Sequence, residues 1–278
     1  MIAERGADGR PVVIGVAPTG AEVTREQNPA VPYTPTEIAG EVVAACEAGA
    51  SLAHLHVRND DGTPTGRPEV FAETIELIRA SCDIITMVST GGALGMSIDE
   101  RAGGLGGAPD MAGIETGSTN FGEELFPTTP ADTREIARRA AERGIALEVE
   151  AFELGHIDAA LGFHVEGTLP DPLRFNLVFG VPGALAATHA NLAAMAAAVP
   201  ADRLWGVTAV GRAQPRMLAL GALMGASVLR TGFEDGVYLD RGVLADSNAA
   251  LVERVRETAA ALGRPTATTD EARELLSL

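Results

Sequence analysis

Two histidines near the start of the sequence have the type and spacing of metal ligands. His54 and His56 stand two positions apart at the end of a short apolar run. Residues two apart in a strand point to the same side, so both imidazoles face one way. Such a pair at a strand end has the geometry to chelate a metal, and imidazole suits zinc. The alternative is one core histidine and one that is hydrogen-bonded to a loop.

Charged residues also end the last short apolar run of the sequence. Arg230, Gly232 and Glu234 share one face of the predicted strand, and Asp235 follows at the turn. Two histidines and Glu234 leave a coordination position open, which is typical of catalytic zinc sites. Asp235 would be free to act as a base, held ionised by Arg230 and the metal. The alternative is a buried ion pair of Arg230 and Glu234 without a metal.

Small polar residues follow three other predicted strands, at residues 17–22, 89–92 and 116–120. Their hydroxyls and glycine amides favour the binding of a carboxylate or an oxyanion, with Ser89 and Gly92 as candidates. Turn chemistry explains these residue types equally well. Glu148 and Glu150 share a face of the fifth predicted strand, and two inward glutamates are costly unless they are paired. We predict an acid–base or supporting role for Glu150 or Glu148.

The candidate site residues follow different strands, so the fold must bring the ends of those strands together. Short β-branched runs alternate with helix-like stretches, as in βαβ units, and their even spacing favours a single-domain (β/α)₈ TIM barrel over residues 1–278. A doubly wound sheet is the alternative. In a barrel the active site lies at the carboxyl ends of the strands. The predicted strands are residues 12–18, 52–58, 84–90, 111–117, 145–152, 174–180, 205–211 and 227–234.

Local signals mark several helix starts and one loop. Capping boxes, in which Ser or Thr precedes Glu by three positions, begin at Thr34, Ser97 and Thr268. The glycine-rich residues 103–107 do not directly follow a strand, so we predict a flexible loop there rather than a nucleotide site.

Composition narrows the function classes. A net charge of −17 at pH 7 disfavours binding to nucleic acid. No apolar run approaches the roughly 20 residues of a membrane helix, and residues 1–6 lack the features of a signal peptide. Only two cysteines occur, Cys46 and Cys82, without a spacing motif, so we expect a cytoplasmic protein without disulfides. All 21 basic residues are arginines, which excludes catalysis through a lysine Schiff base.

The ordered set of motifs resembles the β-keto acid cleavage enzymes, the family that contains 3-keto-5-aminohexanoate cleavage enzyme. The matching segments are residues 17–21, 28–35, 47–50, 54–58, 89–92, 117–121, 179–183, 211–212, 230–235 and 247–249. The resemblance implies a TIM barrel that binds zinc, or another divalent metal, through His54, His56 and Glu234. It also implies a homo-oligomer, since the family is often tetrameric.

The resemblance further implies a reaction in which a β-keto acid and acetyl-CoA give acetoacetate and a new acyl-CoA. Asp235, oriented by Arg230, would remove a proton, and the carbanion would attack acetyl-CoA before CoA transfer and retro-Claisen cleavage. Glu22 resembles the acidic position used with an amino-substituted keto acid, the alternative being a solvated loop residue. Thr116 or Ser118 would supply a substrate-binding hydroxyl.

Two other functions fit the same residues. One is a class II aldolase or hydrolase that acts on the same barrel without CoA. The other is a metal-bound scaffold or small-molecule binder without turnover, against which the complete set of His, Glu, Arg and Asp side chains argues.

Overall fold

Eight parallel strands close into a barrel in the computed structural model, which describes residues 9–278. The segment 1–6, where the sequence predicts no signal peptide, lies outside the described residues. The strands are β1 Val13–Val16, β2 Leu52–Leu55, β3 Ile85–Val88, β4 Met111–Glu115, β5 Ala146–Ala151, β6 Arg174–Phe179, β7 Leu204–Ala209 and β8 Val228–Thr231. The neighbour order is β1-β8-β7-β6-β5-β4-β3-β2, and β1 also pairs with β2. The closed order confirms the predicted TIM barrel.

Helices alternate with the strands and cover the outside of the barrel. All three predicted capping boxes are present, with Thr34, Ser97 and Thr268 each accepting a hydrogen bond from the backbone N–H three residues on. Within residues 9–278 the α-helices are α1 Pro35–Ala48, α2 Pro68–Ser81, α3 Ile98–Arg101, α4 Pro130–Ala141, α5 Leu154–Val165, α6 His189–Ala198, α7 Gln214–Met224, α8 Asn248–Ala261 and α9 Thr269–Leu276.

The amino-terminal end of the barrel is filled with apolar side chains. Val13, Leu52 and Met111 project inward there and pack with Ala272 and Leu276 of α9. Burial of such side chains stabilises a fold by roughly 1.5–3 kcal/mol each. With α9 against this end, the large cavity of the barrel opens at the opposite, carboxyl end.

The glycine-rich segment is a packed element. Ala102–Gly107 forms a 3-10 helix, most of it buried, that packs against α2. A Cβ on Gly103 would lie 1.7 Å from the Gly66 carbonyl oxygen, so a side chain is excluded there. The prediction of a flexible loop was wrong because close packing, rather than mobility, requires these glycines.

Three small antiparallel hairpins follow β2, β4 and β8 and surround the carboxyl end of the barrel. They pair Val57–Arg58 with Pro64–Thr65, Thr119–Phe121 with Glu124–Phe126, and Tyr238–Asp240 with Val243–Leu244. Among the helices of residues 9–278, none is long and apolar enough to cross a lipid bilayer.

Candidate active site

The predicted metal ligands converge at the carboxyl end of the barrel. His54 lies in β2, His56 follows it, and Glu234 lies in the turn after β8. The Nε2 atoms of His54 and His56 are 3.7 and 3.8 Å from Glu234 Oε1. One ligand atom from each residue lies within 4.8 Å of the others, a spacing that a single ion could bridge. The structure thus brings all three side chains together.

Several polar atoms of this group lack the partner that burial demands. Both ring nitrogens of His54 and Oε2 of Glu234 are buried and have no hydrogen bond within residues 9–278. Burial, reinforced by the charge of Arg230, lowers the pKa of His56 to about 3 and holds the pKa of His54 well below its usual value. Both rings are therefore neutral, with lone pairs available. The donor set fits a divalent metal such as zinc, since coordination would satisfy one ring nitrogen of His54 and an unpartnered oxygen of Glu234.

The backbone of the loop after β1 (residues 17–23, the β1 loop) fixes the position of Glu234. The Glu234 N–H donates to the Ala17 carbonyl at 3.1 Å. Gly20 has a φ of +61°, and a Cβ there would lie 2.5 Å from Glu234 Cγ. Glycine is therefore required at position 20 both for its left-handed conformation and for the close approach.

Arg230 is the centre of a buried ion-pair network. Its Nε and Nη2 atoms donate to the two carboxylate oxygens of Asp235 at 2.9 and 2.7 Å. It also donates to Glu150 Oε1 at 3.0 Å and to Glu234 Oε1 at 2.9 Å. One guanidinium thus bonds three carboxylates and orients all of them.

Asp235 lies at the turn after β8 and is buried, and both of its carboxylate oxygens are bonded to Arg230, the residue that the sequence predicts to orient it. Burial raises the pKa of Asp235, and the opposing effect of Arg230 does not fully offset it. Asp235 therefore has a greater affinity for a proton than an exposed aspartate, which suits a general base.

Glu150 and Glu148 occupy different surroundings, although both point into the barrel. Glu150 lines the cavity and bonds Arg230, while Glu148 lies one layer deeper, outside the cavity wall. Burial raises the pKa of Glu150, with Arg230 opposing, and raises that of Glu148 to about 7. Only Glu150 is placed to reach a substrate.

A cavity of about 420 Å³ opens above these residues. Glu22, Ser89 and Gly92, three of the predicted substrate-binding residues, line it together with His56, Glu150, Arg230, Glu234 and Asp235. Phe121, Phe126 and Phe152 supply apolar wall. The volume lies in the range of pockets that bind small organic ligands.

Thr116 and Ser118 are not brought to the cavity. The Thr116 hydroxyl donates to the His156 carbonyl at 2.7 Å, and Ser118 Oγ accepts a bond from the Thr128 N–H at 3.0 Å. Thr116 faces away because the inward positions of β4 are Met111, Gly113 and Glu115, and Ser118, beyond the strand, is turned toward the Thr128 backbone.

Glu115 is the polar group of β4 that faces the substrate space. It pairs in register with Glu150 of β5, and its Oε2 accepts a bond at 3.0 Å from buried Arg101. Arg101 also donates to the carbonyls of Thr90 and Pro127. Counting positions outward from Gly113 would have identified Glu115, whereas the partner Arg101 lies in α3 and carries no sequence signal.

Comparisons with known proteins agree on a family. A family model described as beta-keto acid cleavage enzyme matches residues 11–278. A 3-keto-5-aminohexanoate cleavage enzyme of Fusobacterium nucleatum is 47% identical over 96% of this chain and 98% of its own. A 3-oxoadipate:acetyl-CoA acetyltransferase of Cupriavidus necator is 40% identical over 97% of this chain and 95% of its own. ObcA, solved with a C4-CoA adduct and oxalate, shares the fold with a TM-score of 0.76 at 17% identity, over 90% of this chain and 68% of that one.

Proposed function

The chain belongs to the β-keto acid cleavage enzyme family, and on that premise we propose that it converts a β-keto acid and acetyl-CoA into acetoacetate and a new acyl-CoA. The observation that carries the proposal is the convergence of the His54, His56 and Glu234 group with the Arg230–Asp235 pair on one cavity. Such a set provides a Lewis acid site and a base without a covalent lysine.

Zinc, or another divalent cation, would be held by His54, His56 and Glu234. When bound, it supplies a Lewis acid that polarises the keto oxygen of the substrate and favours enolate formation. The donor set leaves room for substrate oxygens, because only three protein ligands are present in the cluster.

Asp235 is the base in this proposal. Its raised pKa and its position on the cavity wall let it take a proton from the carbon between the keto and carboxylate groups. Arg230 holds both oxygens of Asp235 and so fixes the direction from which the proton is removed. The carbanion attacks the thioester carbonyl of acetyl-CoA, and the CoA thiolate leaves that carbon and bonds to the former keto carbon. The carbon–carbon bond between the former keto carbon and the acetoacetate portion then breaks, and Asp235 returns its proton to the acetoacetate carbanion. Glu150, bonded to Arg230 on the other side, stabilises this arrangement.

The remaining predicted contacts concern the substrate. Ser89 and the backbone of Gly92 lie on the cavity wall, where they would bind the carboxylate of the keto acid. Glu115 is neutralised by Arg101, and the carboxylates near Arg230 share that guanidinium. Glu22 lines the same cavity and forms no side-chain bond within residues 9–278. An ammonium group on the substrate would be its partner, as in 3-keto-5-aminohexanoate.

A panel of keto acids tests the proposal. Purified enzyme is incubated with 3-keto-5-aminohexanoate, 3-oxoadipate or 3-oxohexanoate, each with and without acetyl-CoA, and acetoacetate and acyl-CoA are measured. We expect acetyl-CoA-dependent formation of both products, fastest with the amino-substituted acid. Loss of keto acid at an equal rate without the thioester would instead identify a CoA-independent aldolase or hydrolase.

We also propose a homotetramer in the cytoplasm. Leu125, Tyr238 and Val243 of the hairpins are 58%, 53% and 53% exposed, and a subunit interface would cover such side chains. A reducing compartment such as the cytoplasm would keep the thiols of Cys46 and Cys82 free. Light scattering of the purified protein gives the mass, and a monomer would contradict the assembly.

A further inference from the structure

Arg58 ends the segment 54–58, which begins with the two histidines. It has no part in the reaction proposed above, yet it is almost completely buried. It follows His56 by two positions in the hairpin strand Val57–Arg58, and 2% of it is exposed. Burying a guanidinium is costly unless its N–H groups are all bonded. The position therefore calls for an explanation.

Every hydrogen bond of the Arg58 side chain goes to a main-chain carbonyl. Nε donates to Gly20 at 3.0 Å, and Nη2 donates to Thr19 at 3.1 Å and to Val23 at 2.7 Å. Nη1 donates to Gly62 at 2.9 Å. Three of these four carbonyls belong to the β1 loop. The guanidinium of Arg58 therefore holds that loop against the hairpin strand that directly follows the histidines.

The charge of Arg58 is not cancelled by a bonded carboxylate within residues 9–278. Burial lowers its pKa, while Tyr33, Glu22 and Glu234 act in the opposite direction. The Tyr33 ring lies 5.1 Å from the guanidinium carbon. Glu22 and Glu234 are thus the carboxylates whose charges act on Arg58, and the β1 loop connects both to it.

The β1 loop has two functional ends in the proposed reaction. Its Gly20 packs against the side chain of Glu234, a proposed metal ligand, and its Glu22 lines the cavity as the proposed ammonium partner. The loop backbone between them is held by Arg58. Movement of this backbone by a few tenths of an ångström would change the position of Glu22 most, because Glu22 has no side-chain bond of its own among the described residues.

We propose that Arg58 is a positioning residue that sets substrate specificity by fixing Glu22 over the cavity. The inference rests on the proposed function, since it needs Glu22 to bind the ammonium group of the keto acid. A lysine would keep the charge but cannot donate to four carbonyls in one plane. Arg58→Lys is therefore the variant that removes the clamp while retaining the cation.

The measurement is the discrimination ratio, that is, kcat/KM for 3-keto-5-aminohexanoate divided by kcat/KM for 3-oxohexanoate, which lacks the ammonium. For Arg58→Lys we expect this ratio to fall about tenfold, mainly because KM for 3-keto-5-aminohexanoate rises. The variant should retain its bound metal. In a Glu22→Gln background the same change should alter the ratio less than about twofold, because residues that act through one another are not additive. Arg67→Lys, the same substitution in an exposed ion pair with Glu69, is the matched control.

Different failures identify different errors. If the wild-type enzyme does not cleave keto acids with acetyl-CoA, or does not prefer the ammonium substrate, the proposed function fails together with the inference. If wild type discriminates but Arg58→Lys keeps the ratio, or loses metal and slows both substrates equally, the inference alone is overturned. Should Arg58→Lys show no cooperative melt, Arg58→Gln is measured in its place, because its amide can donate at most two of the four hydrogen bonds. A fall of about threefold in the ratio supports the proposal, and an unchanged ratio overturns it.

Discussion

Replacing Glu148 with glutamine should stabilise the protein in alkaline solution. Glu148 is buried in the barrel beneath the cavity, and burial raises its pKa from 4.5 to about 7, against the opposing charges of Arg230 and Arg174. The folded chain therefore keeps this proton up to about pH 7, whereas the unfolded chain releases it near pH 4.5. The free energy of unfolding must fall as the pH rises through this window and level off above it.

The size of the effect follows from the difference between the two pKa values. Each pKa unit corresponds to about 1.4 kcal/mol, so ionised Glu148 would destabilise the fold by about 3 kcal/mol at pH 8. Glutamine has the shape of the neutral acid and does not ionise, so Glu148→Gln should recover about this amount at pH 8 and nothing near pH 4.5. At about 2 °C per kcal/mol for a chain of this length, the melting temperature should rise by about 6 °C.

Urea denaturation at several pH values between 4.5 and 8 measures the difference in unfolding free energy between Glu148→Gln and wild type. The matched control is Glu73→Gln, the same change at an exposed position of α2, which should show no comparable trend. A difference between Glu148→Gln and wild type that stays constant over the pH range would refute the reasoning. It would mean that Arg174 and Arg230 keep Glu148 ionised in the folded state.

Three further predictions concern the site. His56→Ala should lose bound zinc and essentially all acetoacetate formation while keeping the far-ultraviolet circular dichroism of the barrel, and full zinc content by elemental analysis would contradict the ligand assignment. Asp235→Asn should retain the metal and lower kcat by about 10²–10⁴, the usual contribution of a general base; unchanged turnover would move the role to Glu150. Glu115→Gln should raise KM for the keto acid several-fold, whereas Thr116→Ser, which keeps the hydroxyl bonded to His156, should leave it within about twofold. Equal KM values for the two variants would show that β4 does not contact substrate.

The parts of the fold that depend on periodicity could be predicted from the sequence. All eight strands were predicted at their places in the chain, because buried parallel strands are short β-branched runs separated by amphipathic helices. The convergence of His54, His56 and Glu234 could also be predicted, since the two histidines share a strand face and strand ends gather at one rim. Which face of a strand a side chain takes depends only on its position along that strand.

Contacts between distant elements could not be predicted in this way. Alternation along β4 points Glu115 inward, but its ion pair with Arg101 of α3 depends on packing that the sequence does not show. Similarly, the burial of Asp235 depends on how the turn after β8 packs. The clamp by Arg58 involves carbonyl groups, and every residue has a carbonyl, so the sequence carries no mark of it.

The electrostatics of the site give an independent reason to expect a divalent cation. Among the described residues, Arg230 is the cation that hydrogen-bonds Glu150, Glu234 and Asp235, so three carboxylates share one bonded positive charge. The protein alone can relieve this excess only by taking up protons, and burial does raise the pKa of all three carboxyl groups. A divalent ion beside Glu234 would add the missing positive charge and also satisfy one of the unpartnered ring nitrogens of His54. Metal binding should therefore release protons, and the amount released, measured in buffers of different ionisation enthalpy, reports how many of these carboxyl groups were protonated without metal.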